Sequence, residues 1–215
     1  MNQTNTNPKV ARMVRMALFV AVIFLLAFTP LGYLVLGPIS ATTIQMPVII
    51  GALLMGPTAG AILGGFFGLS ALIKVLTVPG ADLVATAILG VQPFLYVVIA
   101  MVPRILMGWL SGLLGLGLKK VLRFDKTNVI AYGVTGFVGS MLNTIFYLGS
   151  LWLLASGYVA QAYEIDISGV GALVLTTAYT LGIPEAVVSC IVVGAVCKAL
   201  AHFVPSIRTT VRPAV

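Results

Sequence analysis

Three side chains that can bind a ligand lie within otherwise apolar stretches of this chain: Arg104, Asn143 and Glu185. An arginine at the centre of a membrane-spanning helix costs about 2.5–3.5 kcal/mol, so we expect its guanidinium to face the protein interior and to pair with a negative group. Two partners fit this requirement. One is an anionic ligand, and the other is the carboxylate of Glu185, the only acid on the predicted crossings. The sequence leaves both open.

Several neutral polar residues could complete such a site. Asn143 lies near the middle of its apolar run, where an amide bonds either a ligand or a neighbouring helix. Gln45 and Thr43 end the first long loop, and Gln92 precedes another helix. For these three, ligand contact and ordinary solvation at the membrane interface are both open. Lys74 either extends to water along its aliphatic stem or attracts anions.

The sequence argues against catalysis. The single histidine, His202, is near the end of the last apolar run and has no adjacent nucleophile. The chain has no HExxH pattern and no clustered Cys and His residues, so neither a metal nor another cofactor is expected. It also has no GxxxxGK[ST] sequence, so active transport would need a partner or an ion gradient as its energy source.

The composition is that of a membrane protein. Of the 215 residues, 60% are hydrophobic and 8% are charged, against about 25% charged in soluble domains. One membrane domain is predicted over residues 9–205, between cytoplasmic tails at 1–8 and 206–215. The net charge of +7 is explained by basic cytoplasmic loops rather than by nucleic-acid binding.

The apolar runs predict an all-α fold with six transmembrane helices. They are expected at about residues 10–28, 47–56, 58–76, 93–118, 129–156 and 183–205. A stretch of about 12 residues at 170–181 is too short to span and is predicted to be an extra helix in the outer loop before the sixth crossing. Gly60, Gly64 and Gly68 form a stripe that permits close helix packing.

The charges predict the orientation of these crossings. With six crossings, ten of the twelve basic residues fall on one side, which is therefore the cytoplasmic side and holds both termini. These residues are Lys9, Arg12, Arg15, Lys119, Lys120, Arg123, Lys126, Lys198, Arg208 and Arg212. The two exceptions are Lys74 and Arg104.

Four segments resemble one family, the substrate-binding S components of energy-coupling factor (ECF) vitamin transporters. They are Ala17 and Ala21 as an AxxxA pattern, TPLGYLVLGPISATTIQMPVIIGALLMGPTAGAILGGFFGL at 29–69, VPRILMG at 102–108 and GIPEA at 182–186. The segments are most similar to the pantothenate-type members. In one respect the chain departs from the pattern, because Gln45 stands where many relatives have a histidine.

The resemblance implies a multi-pass protein of the prokaryotic plasma membrane that binds a water-soluble vitamin near its outer surface. It implies association with a membrane T component and two cytoplasmic ATPases, followed by toppling of the loaded subunit within the bilayer. Ala17 and Ala21 then become contacts to the T component. Arg104 suits the carboxylate of pantothenate, and Asn143, Gln45 and Thr43 suit its amide and hydroxyls. The alternatives are another water-soluble vitamin or a self-sufficient secondary carrier.

Overall fold

The computed structural model describes residues 7–35, 40–78, 80, 82–122 and 128–203. The regular elements in this part of the chain are α1 Pro8–Ala27, β1 Tyr33–Val35, β2 Ser40–Thr42, α2 Gln45–Met55, α3 Pro57–Thr77, α4 Leu83–Val91, α5 Pro93–Val121, α6 Val129–Tyr163, α7 Val170–Thr177 and α8 Ile183–Phe203. A 3₁₀ turn, Ile167–Gly169, precedes α7, and a π-helical turn, Ala178–Gly182, joins α7 to α8.

Local sequence signals explain where several helices begin. Asn7 caps α1, because its side chain accepts a hydrogen bond from the Lys9 amide at 3.0 Å. Asp82 caps α4 in the same way through the Ala85 amide, also at 3.0 Å. Between α2 and α3 the chain reverses at Gly56, whose φ of 93° suits glycine. Pro57 then begins α3 at a position where its missing N–H leaves no hydrogen bond unmade.

Five helical segments in the described residues are long and apolar enough to cross a membrane. They are Lys9–Ala27, Pro57–Thr77, Pro93–Val121, Val129–Tyr163 and Ile167–Ala201. The second predicted crossing, at about residues 47–56, corresponds to α2, which has 11 residues and is about 16 Å long. The membrane-type helical fold is therefore confirmed, whereas six crossings and the orientation stay predictions. The predicted tails lie almost wholly outside the described residues.

The structure agrees with the predicted all-α class, whereas the loops predicted between the crossings differ from it in several details. The first long loop contains an antiparallel hairpin in which β1 pairs with β2, Tyr33 opposite Thr42. The segment expected to be a loop at 77–92 contains α4, because Asp82 caps a short apolar stretch that packs against α5 and α6. The fifth crossing extends beyond residue 156 and is kinked at Ala155. The extra helix before the last crossing is confirmed as α7.

The short helix α2 occupies the centre of the bundle. Every residue from Gln45 to Leu54 is buried, and the helix contacts α1, α3, α5, α6 and α8. We call the end of the bundle with the β-hairpin, α4 and α7 the hairpin end, and the end with the Gly56 reversal the turn end.

The predicted glycine stripe forms the tightest helix contact of the bundle. A Cβ on Gly60, Gly64 or Gly68 would lie 2.2, 2.1 or 2.6 Å from the backbone oxygens of Gly108, Arg104 and Ala100, respectively. Without side chains, the backbones of α3 and α5 approach closely, as small residues allow in membrane bundles. This contact determines where the backbone of Arg104 lies.

Replacing Gly64 with alanine tests this packing. We expect Gly64→Ala to lower the free energy of unfolding by about 1–3 kcal/mol, because its methyl group overlaps the Arg104 carbonyl and the two helices must separate. Thermal unfolding of the purified protein in detergent measures the effect. Gly65→Ala is the matched control, since its Cβ would first meet the Ile105 side chain at an ordinary 3.8 Å. Equal midpoints for the two variants would contradict the close-contact interpretation.

Candidate functional site

A cavity of about 320 Å³ lies near the hairpin end. It is bounded mainly by α3, α5, α6 and the α7–α8 segment. Its polar and charged lining consists of Thr42, Lys74, Asp82, Tyr96, Arg104, Asn143, Thr144, Tyr147, Tyr163, Thr177 and Glu185. The remaining lining is mostly aliphatic, with Phe67 from α3. An apolar cavity with a few convergent polar groups is typical of a small-molecule site.

Arg104 is held firmly at the inner part of this cavity. Its side chain is 7% exposed, and its Nη1 donates a hydrogen bond of 2.7 Å to the backbone oxygen of Ile99. The guanidinium carbon lies 3.9 Å from the ring centroid of Tyr147 and 5.6 Å from that of Phe67. Both rings therefore make cation–π contacts that stabilise the buried charge. Neither contact neutralises it.

The structure does not form the ion pair between Arg104 and Glu185 that the sequence left open. Both residues line the cavity, but within the described residues no carboxylate pairs with Arg104. The Oε1 of Glu185 instead accepts a hydrogen bond from the Thr42 amide at 3.3 Å. The buried Nε of Arg104 has no hydrogen-bond partner in this part of the chain. The guanidinium therefore keeps a donor that none of the described residues occupies.

Asn143 lines the cavity, and a hydrogen bond to Gln45 holds its side chain in place. Gln45 is completely buried and accepts a hydrogen bond from Asn143 Nδ2 at 2.6 Å. Its own Nε2 donates to the hydroxyl of Ser140 at 2.5 Å. The Oδ1 of Asn143 is buried and lacks a partner among the described residues. Asn143 therefore has an acceptor without a partner at the cavity. The sequence left open whether this residue bonds a neighbouring helix or a ligand, and its position is compatible with both, because Nδ2 bonds Gln45 of α2 while Oδ1 has no partner among the described residues.

Two of the predicted site residues are not at the cavity. Thr43 donates a hydrogen bond to the Leu31 backbone oxygen at 2.7 Å and faces a separate apolar groove near α1 and α8. Gln92 is exposed at the start of α5 and makes no side-chain capping bond. Gln45 is next to the site but supports it through Asn143. Of the six predicted ligand residues, the cavity lining includes Arg104, Asn143 and Glu185.

Sequence reasoning missed the aromatic side chains that contact Arg104 in the site. Tyr147 stacks on Arg104, and Thr144 and Thr177 add hydroxyl groups to the lining. The spacing of Asn143 and Tyr147, four residues apart in α6, was a usable signal, because such residues share a helix face. Tyr163 also lines the cavity. Lys74 and Asp82 place one charge of each sign there.

The predicted partner residues Ala17 and Ala21 are both exposed on α1. This helix lies at the periphery of the bundle, and few of its side chains are buried. Its buried side chains, such as Ile23 and Ala27, belong to another face. Among the residues that the structure describes, nothing therefore buries these two alanines, and their face of α1 is open.

A bundle of long apolar helices around a cavity with a buried cation defines a multi-pass membrane protein with a small-molecule site. Comparison with known proteins agrees: the family described as "ECF transporter, substrate-specific component" matches residues 11–197. The pantothenate transporter PanT of Leuconostoc mesenteroides is 32% identical over 161 residues, covering 73% of this chain and 74% of the relative. The pantothenic acid transporter PanT of Lactococcus lactis is 27% identical over 175 residues, covering 75% and 80%.

This chain belongs to the family of ECF transporter substrate-specific components, in the prokaryotic cell membrane. The family predicted from the four sequence segments is thereby confirmed, as is the resemblance to its pantothenate-type members. The family is one of transport proteins, in agreement with the sequence argument against catalysis.

The hydrogen bonds of Gln45 can be tested by their effect on stability. We expect Gln45→Leu to lower the free energy of unfolding by about 1–3 kcal/mol, because Asn143 Nδ2 loses its acceptor in a buried position. Thermal unfolding in detergent is the measurement. Gln92→Leu, at an exposed glutamine, is the control and should change stability by about 0.5 kcal/mol or less. Similar stability of both variants would show that the buried bonds contribute little.

Proposed function

We propose that the protein binds pantothenate in the cavity at the hairpin end and is the vitamin-binding subunit of an ATP-driven ECF importer. The observation that carries this proposal is the buried guanidinium of Arg104, which has no carboxylate partner in the described part of the chain. Pantothenate has a carboxylate at one end, a central amide and two hydroxyls. The names of the two PanT relatives support the same ligand.

Arg104 binds the carboxylate of the vitamin. A guanidinium keeps its charge when buried and offers two parallel N–H donors, which match the two oxygens of a carboxylate. In a cavity that excludes much of the water, this charge-assisted pair is stronger than at the surface. The Tyr147 ring, 3.9 Å from the guanidinium carbon, restrains the side chain before the ligand arrives.

Asn143 and Glu185 bind the rest of the molecule. The free Oδ1 of Asn143 accepts a hydrogen bond from the amide N–H or from a hydroxyl of the ligand. Glu185, held by the Thr42 amide, accepts a hydroxyl hydrogen. Both groups are acceptors, whereas Arg104 is a donor, so the ligand enters with its carboxylate towards Arg104 and its hydroxyls towards Glu185.

The hairpin end faces the outside in this proposal, and both termini are cytoplasmic. The basic residues at the ends of α1 and α5, such as Lys9, Lys119 and Lys120, support this orientation, since cytoplasmic loops collect positive charge. The chain has no P-loop sequence, so ATP hydrolysis belongs to two partner ATPases. The loaded subunit topples against a membrane T component, which contacts the exposed Ala17 and Ala21 of α1.

Removing the guanidinium of Arg104 should weaken binding of pantothenate more than binding of its neutral alcohol analogue. We expect Arg104→Ala to weaken binding of pantothenate by about 100-fold or more, because a buried carboxylate loses its partner. Binding of the neutral alcohol analogue should change much less. Isothermal titration of the purified protein in detergent with both compounds measures the difference, and Lys120→Ala, which alters an exposed cation, is the control. Equal losses for acid and alcohol would contradict the ion-pair role.

Bulky side chains on α1 should separate binding from transport. We expect Ala17→Trp or Ala21→Trp to leave pantothenate binding unchanged, because both positions are exposed, and to block uptake by clashing with the T component. Binding is measured on the purified chain, and uptake is measured in vesicles that contain the complete transporter. Ile145→Trp, at an exposed position on α6, is the control and should permit uptake. Loss of binding by the alanine variants would indicate misfolding instead.

A further inference from the structure

We propose that Pro103 is a positioning residue for the ligand carboxylate, because it releases the backbone oxygen of Ile99 to hold Arg104. This inference rests on the proposed function and adds to it a determinant of selectivity for acids. The geometry involves three residues of α5: the proline, the carbonyl four residues before it, and the arginine directly after it.

Proline inside a helix leaves one carbonyl without its usual donor. In an α-helix the N–H of residue 103 would bond the oxygen of residue 99, but proline has no N–H. The helix nevertheless continues through this point, from Pro93 to Val121. Ile99 is completely buried, so an unbonded oxygen at this position would be costly. Its oxygen instead accepts the hydrogen bond from Arg104 Nη1, at 2.7 Å.

This bond determines which edge of the guanidinium remains for a ligand. Arginine has five N–H donors in a rigid plane. The Ile99 oxygen occupies Nη1, and Tyr147 covers a face of the plane. The buried Nε has no partner among the residues that the structure describes. Nε and Nη2 are the nitrogens that the Ile99 oxygen does not occupy, and we assign the carboxylate of the ligand to this edge of the guanidinium.

The surrounding backbone cannot easily shift to compensate. Gly64 and Gly68 of α3 pack directly against the oxygens of Arg104 and Ala100. The segment that carries Ile99, Pro103 and Arg104 is thus held against α3 on one side, while Tyr147 restrains the side chain from α6. A change at Pro103 acts mainly on the hydrogen bonding of the Ile99 oxygen, which in turn sets the orientation of Arg104.

The variant Pro103→Ala tests the proposal. Alanine restores the N–H at 103, which competes with Arg104 for the Ile99 oxygen, and alanine is a good helix former, so the protein is expected to fold. We expect affinity for pantothenate to fall about tenfold, in proportion to one charged hydrogen bond, and affinity for the neutral alcohol to stay within about twofold. Isothermal titration of the purified full chain with both compounds is the measurement.

Pro93→Ala is the matched control, because Pro93 is in the first turn of α5 and its missing N–H leaves no carbonyl exposed. Pro93→Ala should change neither the affinity for pantothenate nor the affinity for the neutral alcohol. The double variant Pro103→Ala/Arg104→Ala should bind as weakly as Arg104→Ala alone, since the proline acts through the arginine. A further loss in the double variant would overturn the proposal.

Two other outcomes also overturn it: unchanged affinity for pantothenate in Pro103→Ala, or equal losses for acid and alcohol. The proposed function is tested separately by Arg104→Ala. If Arg104→Ala weakens binding of pantothenate more than binding of the alcohol, while Pro103→Ala does not, only the positioning role of Pro103 is wrong. If Arg104→Ala weakens binding of both compounds equally, the proposed ion pair between Arg104 and the carboxylate of pantothenate is itself wrong.

Discussion

The buried guanidinium of Arg104, which has no carboxylate partner among the residues that the structure describes, is the constraint around which this bundle is organised. The protein gives Arg104 a backbone oxygen and two aromatic rings, which reduce the cost of burial without cancelling the charge. A carboxylate in the same place would neutralise the cation and remove the attraction for an anion. Glu185 is part of the same cavity but is held by the Thr42 amide. The two side chains therefore remain separate functional groups.

Close helix packing makes this arrangement possible. The glycine stripe of α3 brings its backbone against that of α5 at Gly108, Arg104 and Ala100, which fixes the depth of the arginine in the bundle. The short helix α2 fills the centre and brings Gln45 to the side of Asn143 that faces away from the cavity. A membrane helix of ordinary length in that position would extend into the space where the hairpin and the cavity lie.

Much of the architecture was predictable, because in a membrane the sequence signals are strong. Long apolar runs, the glycine spacing of four and the proline or glycine at helix ends each have a direct physical cause. The short strands and α4 were missed, because nine or fewer apolar residues between loops have no distinctive period. The site was partly predictable: Arg104, Asn143 and Glu185 were identified as polar groups in apolar surroundings, and all three line the cavity.

The sequence by itself determined the membrane fold class and the family, and it identified a buried cation that needs compensation. Each depends on residue types and their spacing within continuous segments of the chain, which a linear pattern contains. Only the tertiary structure decided that Tyr147 stacks on Arg104, that Gln45 contacts Asn143, and that Thr43 and Gln92 lie away from the cavity. These outcomes depend on the rotation and approach of separate helices, which are set by packing between distant segments of the chain.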